Sequence, residues 1–174
     1  MKYFEHESAA TFDEAVSLLK ESPKGKTVVM AGGSDLIGVL KEQILEDYPE
    51  KVVDLKTVRG GEYIKQDGDT IEIGALTKLC DIVKSDLLNE KAPVLSQAAR
   101  SVATPLIRNV ATMGGNICQD VRCWFYRYPH GIGGRMDCMR KGGKECYAVM
   151  GDNRYHSIFG GMKVHTTPCS VQCP

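Results

Sequence analysis

Apolar residues recur along the first half of the chain in two alternating rhythms. Phe12, Ala15, Val16 and Leu19 fall at helical spacing behind Thr11-Phe12-Asp13-Glu14, a capping-box arrangement of hydroxyl and carboxylate that satisfies exposed N–H groups at a helix start. A helix over residues 11–21 is predicted. Thr27-Val28-Val29-Met30 is a short β-rich run, Ala31-Gly32-Gly33-Ser34-Asp35 interrupts it, and Leu36, Ile37, Leu40 and Ile44 return to helical spacing. Val52, Val53 and Leu55 predict one more strand, which gives a β-α-β-α-β lobe ending near residue 58.

A second lobe starts after the turn-forming Arg59-Gly60-Gly61. Ile71, Ile73 and Ala75 alternate as a half-buried strand does, Thr77 is placed to cap a helix carrying Leu79, Ile82 and Val83, and Leu95, Ala98, Ala99 and Val102 form another helical stripe. The fold class is therefore α/β (α+β) in two lobes, 1–58 and 59–121. Glycine and basic residues become denser after residue 130, as in a loop-rich segment.

Composition narrows the partners. Over 174 residues, 43% are apolar and 25% charged, a globular balance, and the 22 basic residues are matched by 22 acidic ones. Net charge thus gives no reason to expect nucleic acid or an anionic membrane. There is no membrane-length apolar run, and the start MKYFEHESAA lacks the features of a signal peptide, so a cytoplasmic setting is expected. The seven cysteines are odd in number, and reduced thiols in that setting serve better as ligands for a soft metal or cluster than as disulfides. Six of them follow residue 117; Cys80, alone in an apolar pattern, reads as a small core residue.

Two glycine loops carry candidate chemistry. Gly32 and Gly33 let the backbone approach a ligand closely, and the Ser34 hydroxyl adds a donor for a phosphate. Thr112, Gly114, Gly115 and Asn116 repeat that chemistry in the second lobe. Either loop alone is also what a tight turn requires for steric reasons. Neither has the G-x-G-x-x-G spacing of a Rossmann fingerprint or the G-K-[ST] of a P-loop. One loop per lobe fits a dinucleotide.

AGGSDLIG, IEIGALT and IRNVATMGGNI, in this order and at this separation, resemble the FAD-binding subunit of molybdenum hydroxylases, the flavoprotein fold of xanthine dehydrogenase and carbon monoxide dehydrogenase. The resemblance covers roughly residues 3–121. It implies a two-lobed FAD-binding domain whose first loop, Val29, Met30, Ala31, Gly32, Gly33, Ser34, Asp35 and Leu36, and second loop, Thr112, Met113, Gly114, Gly115 and Asn116, grip the pyrophosphate and the flavin edge. It places Val102 near the flavin. The implied partners are molybdenum-binding and [2Fe-2S] subunits.

The segment CWFYRYPHGIGGRMDCMRKGGKEC resembles the insert of one branch, like the flavin subunit of 4-hydroxybenzoyl-CoA reductase, that holds a [4Fe-4S] cluster. The resemblance implies Cys123, Cys138 and Cys146 as ligands within an insert over 122–165, with Arg135, Arg140, Lys141 and Lys144 available to offset cluster charge. Where the branch has a fourth cysteine this chain has Tyr155 and His156. His156 is the expected fourth ligand, with Cys118 and Cys169 as alternatives. Structural zinc is the competing metal. Residues 166–174, TTPCSVQCP, resemble the start of a glutamate synthase small-subunit-like iron–sulfur domain, which implies a truncated following module and a fused NAD(P)H-oxidising flavin module.

The expected role is electron transfer between FAD and the cluster, and on to NAD(P)H or partner subunits. No residue has the setting of a substrate acid–base pair, so catalysis on the organic substrate is expected elsewhere. The alternatives are a zinc-stabilised interaction domain and a degenerate flavin domain retaining only the cluster.

Overall fold

Three four-residue strands pair in parallel to form the central sheet, in the order β1 (Glu5–Ser8), β3 (Lys51–Asp54), β2 (Thr27–Met30). Every residue of β3 is in register with both neighbours: Lys51 faces Glu5 and Thr27, and Asp54 faces Ser8 and Met30. Val52 and Val53 are fully buried, as the middle strand of a sheet requires. The computed structural model describes residues 1–45, 47–134, 136–154 and 156, with the backbone of 162–164 and 167–169.

Helix α1 (Phe12–Glu21) forms where expected. Thr11 caps it by accepting from the Glu14 N–H at 3.1 Å, and the Glu14 carboxylate reaches back to the Ala10 N–H at 2.7 Å. Its buried side keeps only part of the stripe the spacing suggests. Ala15 is buried and Leu18 packs beside it, whereas Phe12, Val16 and Leu19 are each more than a third exposed. Helix α2 (Leu36–Lys41) is shorter than the Leu36–Ile44 spacing suggests, and the chain turns at Gln43, whose φ is 52°.

Past the sheet, β4 (Ile64–Asp67) and β5 (Thr70–Ile73) form an antiparallel hairpin. Four short helices come next: α3 (Leu79–Lys84), α4 (Asp86–Lys91), α5 (Pro93–Ser101) and α6 (Pro105–Arg108). Thr77 does not cap α3. Its buried hydroxyl bonds the Tyr63 N–H and carbonyl, both at 3.0 Å, and so ties the hairpin to the strand exit. Leu79, Ile82, Leu88, Ala99 and Ala111 make the core under these helices.

The chain divides into two compact units that do not coincide with the expected lobes. Residues 3–35 and 49–118 form one, and residues 1–2, 36–48 and 119 onward form the other. Pairing of β3 between β1 and β2 draws residues 49–58 into one body with residues 59–118, so both glycine loops belong to the same unit. The second unit buries Val39, Ile44, Val121, Tyr126 and Ala148 with three cysteines. It also contains a 3-10 turn at Met139–Lys141, a short helix Tyr147–Met150, and an antiparallel strand pair, Met162–Val164 with Thr167–Cys169. Cys173 and the remainder of 166–174 lie outside the described residues, as does Arg135. Among the described residues no helix is long and apolar enough to cross a membrane.

Candidate flavin site and cysteine core

The first glycine loop leaves the carboxyl end of β2, the edge of a parallel sheet where ligands of open α/β folds bind. Gly33 sits at φ 72°, a left-handed conformation that glycine adopts without strain. Gly32 is demanded by a neighbour: a Cβ there would run into the carbonyl of Val110. The two sequence motifs, some eighty residues apart, are therefore in contact. Among the described residues the peptide N–H groups of Gly32, Gly33 and Ser34 meet no acceptor.

The second loop is built differently. Thr112 caps α7 (Met113–Ile117), its buried Oγ1 accepting from Gly115 N–H at 3.1 Å. Met113 N–H donates to the Thr77 carbonyl and Gly114 N–H to that of Ala75, both at 2.8 Å. These three N–H groups are thus spent on the strand exit and the helix cap, while the half-buried Asn116 side chain is free to meet a ligand.

Together the loops wall a cavity of about 260 Å³, lined by Ala31, Gly32, Leu76, Asn109, Val110 and Thr112, with the charged side chains of Lys56, Lys78 and Glu62. This is smaller than the roughly 300–1,000 Å³ of complete ligand pockets. It suits part of a dinucleotide, and the open N–H group of Gly32 with the two ammonium groups fits the diphosphate. Lys56, Lys78, Glu62 and Asn109 are not foreseen by the glycine pattern; the signal for Lys78 is its place directly after IEIGALT, and for Asn109 its place within IRNVATMGGNI. Val102 does not line the cavity. It ends α5 and packs on the Leu79–Ile82 core, its carbonyl held by Arg108 Nη1 at 2.6 Å. Leu36 starts α2 in the other unit.

A groove of about 330 Å³ lies at the opposite, amino ends of the same strands, but its charges are already paired. Lys26 meets Glu50 at 3.1 Å and Lys51 meets Glu7 at 2.8 Å.

In the other unit Cys123, Cys138 and Cys146 are all buried in one core. Arg127 staples the first of them, its Nε donating to the Val121 carbonyl at 2.7 Å and Nη2 to that of Asp120 at 2.8 Å. Cys138 and Cys146 flank a tight turn closed by Gly143 N–H to the Cys138 carbonyl and Met139 N–H to that of Glu145. Burial pushes the Cys123 thiol up, against the peptide N–H groups of Tyr126 and Phe125, which favour its thiolate. His156 Nε2 lies 3.1 Å from Cys123 Sγ, and its ring stacks on Phe125. His156 Nδ1 and Arg140 Nε are buried without a partner among the described residues. Cys118 is exposed, and Cys80 is half-buried beside Asp81, not a core residue.

Three thiols and an imidazole have the donor chemistry of a soft-metal site. Their arrangement does not complete one: among the described residues no three His, Cys, Asp or Glu side chains form a group able to hold a metal ion.

Residues 2–123 match the family described as FAD binding domain in molybdopterin dehydrogenase. The chain belongs to this family. It is 34% identical over 117 residues to the nicotinate dehydrogenase FAD-subunit of Eubacterium barkeri, a match covering 67% of this chain and 39% of that protein. The solved carbon monoxide dehydrogenase of Hydrogenophaga pseudoflava superposes with a TM-score of 0.63 at 31% identity, over 67% of this chain and 39% of that one. The chain therefore spans about two fifths of the length of these relatives. The likeness to the aldehyde oxidoreductase FAD-binding subunit PaoB of Escherichia coli K12, 29% identical, runs further: 161 residues, 92% of this chain and 48% of that protein, and so through the cysteine core.

Proposed function

We propose that this chain is the FAD-binding part of a molybdenum hydroxylase-like oxidoreductase and relays electrons between its partner subunits. The observation that carries the reading is the cavity at the sheet's carboxyl edge, where Gly32, the first of three successive residues whose peptide N–H groups meet no acceptor among the described residues, lies with Lys56 and Lys78. Bound there, FAD would supply two-electron chemistry that can also proceed in single-electron steps. Ala31 through Asp35 would hold the diphosphate, Thr112 and Asn116 would border the dinucleotide, and the close contact of Gly32 with Val110 would keep the two loops in register. Molybdenum-binding and [2Fe-2S] subunits are the proposed partners, on the strength of the family.

For the cysteine core we propose a [4Fe-4S] cluster on Cys123, Cys138, Cys146 and His156. It is supported by the shared burial of the three thiols in one core. Against it stands that no three His, Cys, Asp or Glu side chains among the described residues form a ready metal-holding group. The 3.1 Å from His156 Nε2 to Cys123 Sγ favours a second reading, structural zinc, whose tetrahedral sulfur and nitrogen ligands lie roughly 3.5 Å apart.

The deciding experiment is anaerobic purification, then an absorption spectrum, acid release of flavin, and assays of iron, sulfide and zinc. Stoichiometric FAD is expected, with about four iron and four sulfide per chain. Protein without flavin overturns the FAD reading, and stoichiometric zinc without sulfide replaces the cluster.

A further inference from the structure

We infer that Lys78, assisted by Lys56, is the ionic partner of the diphosphate in the cavity and sets the chain's preference for a dinucleotide over an uncharged flavin. The inference rests on the FAD reading above. It starts from where the cations are. Lys78 is half-buried, lines the cavity with Gly32 and Thr112, and makes no ion pair among the described residues. Its main chain is fixed to the second loop by a bridge with Thr112, by Leu79 N–H to the Ala111 carbonyl at 2.9 Å, and by Met113 N–H to the Thr77 carbonyl at 2.8 Å. Its side chain caps nothing in α3. The position is rigid, and the ammonium is uncommitted.

Lys56 comes after β3 as the glycine loop comes after β2, so it reaches the same carboxyl edge. Its Nζ is 3.6 Å from the Asp54 carboxylate, which His6 also approaches at 3.5 Å, so Lys56 is the weaker contributor. Glu62 is the single carboxylate of the lining, and two ammonium groups outweigh it. Open N–H groups provide direction for phosphate oxygens but no net charge; the lysines provide the charge.

The test uses the full chain stripped of flavin and titrates four probes: FAD, ADP, inorganic diphosphate and riboflavin. Binding is read by flavin fluorescence or calorimetry, with thermal unfolding as a check on folding. Lys78→Gln is expected to weaken FAD, ADP and diphosphate roughly tenfold to a hundredfold, to flatten their salt dependence, and to leave riboflavin binding and unfolding unchanged. Lys78→Arg should keep most of the affinity, and Lys56→Gln should lose less than Lys78→Gln. If Lys78→Gln binds the anions as tightly as the parent, with the same salt slope, the inference is overturned. Diphosphate binding that depends on Lys78 in a chain that takes no FAD would retain the anion site and sink the flavin reading. A parent chain that binds neither FAD nor diphosphate overturns both.

Discussion

In Gly32-Gly33-Ser34 three successive peptide N–H groups meet no acceptor among the described residues, whereas in Met113-Gly114-Gly115 three successive N–H groups are taken by Thr77, Ala75 and Thr112. The sequences look alike, and their chemistry is opposite. The first loop offers donors and borrows its shape from neighbours; the second consumes its donors to make a wall on which the first can lean. A glycine pair thus marks a close approach without saying what approaches. For Gly32 the answer is the Val110 carbonyl, from inside the protein. For the open N–H groups beside it, the proposed answer is a ligand.

The harshest way to break this comparison is Gly32→Ala. The new methyl group would occupy the space of a backbone carbonyl, which cannot rotate aside as a side chain can. A loss of about 3 kcal/mol is expected, at the upper end for overpacking, which corresponds to a fall of roughly 6–12 °C in Tm for a chain of this size. Flavin binding should vanish with it. Circular dichroism melting of the two proteins decides: an unchanged Tm would mean that the loops are not in contact. Gly115→Ala is the milder control, because its Cβ would meet only the Thr112 side-chain oxygen, at 2.9 Å.

Thr112→Val comes next. It keeps the shape of a buried side chain and removes the oxygen that accepts from Gly115 N–H. Loss of this cap should cost about 1–2 kcal/mol, and Thr112→Ser should recover most of it. Chemical unfolding reads the difference. Equal stability of Val and Ser variants would show that the second loop does not depend on its own hydroxyl.

The secondary structure was largely legible because it obeys local rules. The Thr11–Glu14 capping box and the β-rich Thr27–Met30 run form as their residue types dictate. Of the predicted stripe on α1, Ala15 is buried as its spacing suggests, but that Leu18 packs beside it while Phe12, Val16 and Leu19 stay exposed was not legible, since only tertiary packing sets how the helix is turned. Thr77 illustrates the same limit: a hydroxyl before a helix can cap it, yet here it serves Tyr63, fourteen residues back. The glycine loops were legible as motifs because their spacing is fixed by backbone contact. The lysines were not, because Lys56 and Lys78 come to one cavity from separate strand ends and share no pattern in the chain. The cysteines occupy an intermediate place. Their burial in one core agrees with their soft-ligand chemistry, but spacing alone could not say that His156 would meet Cys123 through Nε2 and leave Nδ1 buried without a partner among the described residues.

Ser34→Ala sharpens the comparison with the smallest effect. Ser34 is exposed and its hydroxyl makes no hydrogen bond within the described residues, so stability should stay within about 0.5 kcal/mol of the parent. FAD affinity should nevertheless fall roughly twofold to tenfold, the worth of one ordinary hydrogen bond. Riboflavin affinity should not change. Thr112→Val is expected to show the reverse weighting, with stability moving more than affinity. Plotting the change in binding against the change in stability for the two variants separates a loop that holds a ligand from a loop that holds the fold. Two variants on one line through the origin would mean that both loops act only through stability, and the open N–H groups of the first loop would lose their assigned purpose.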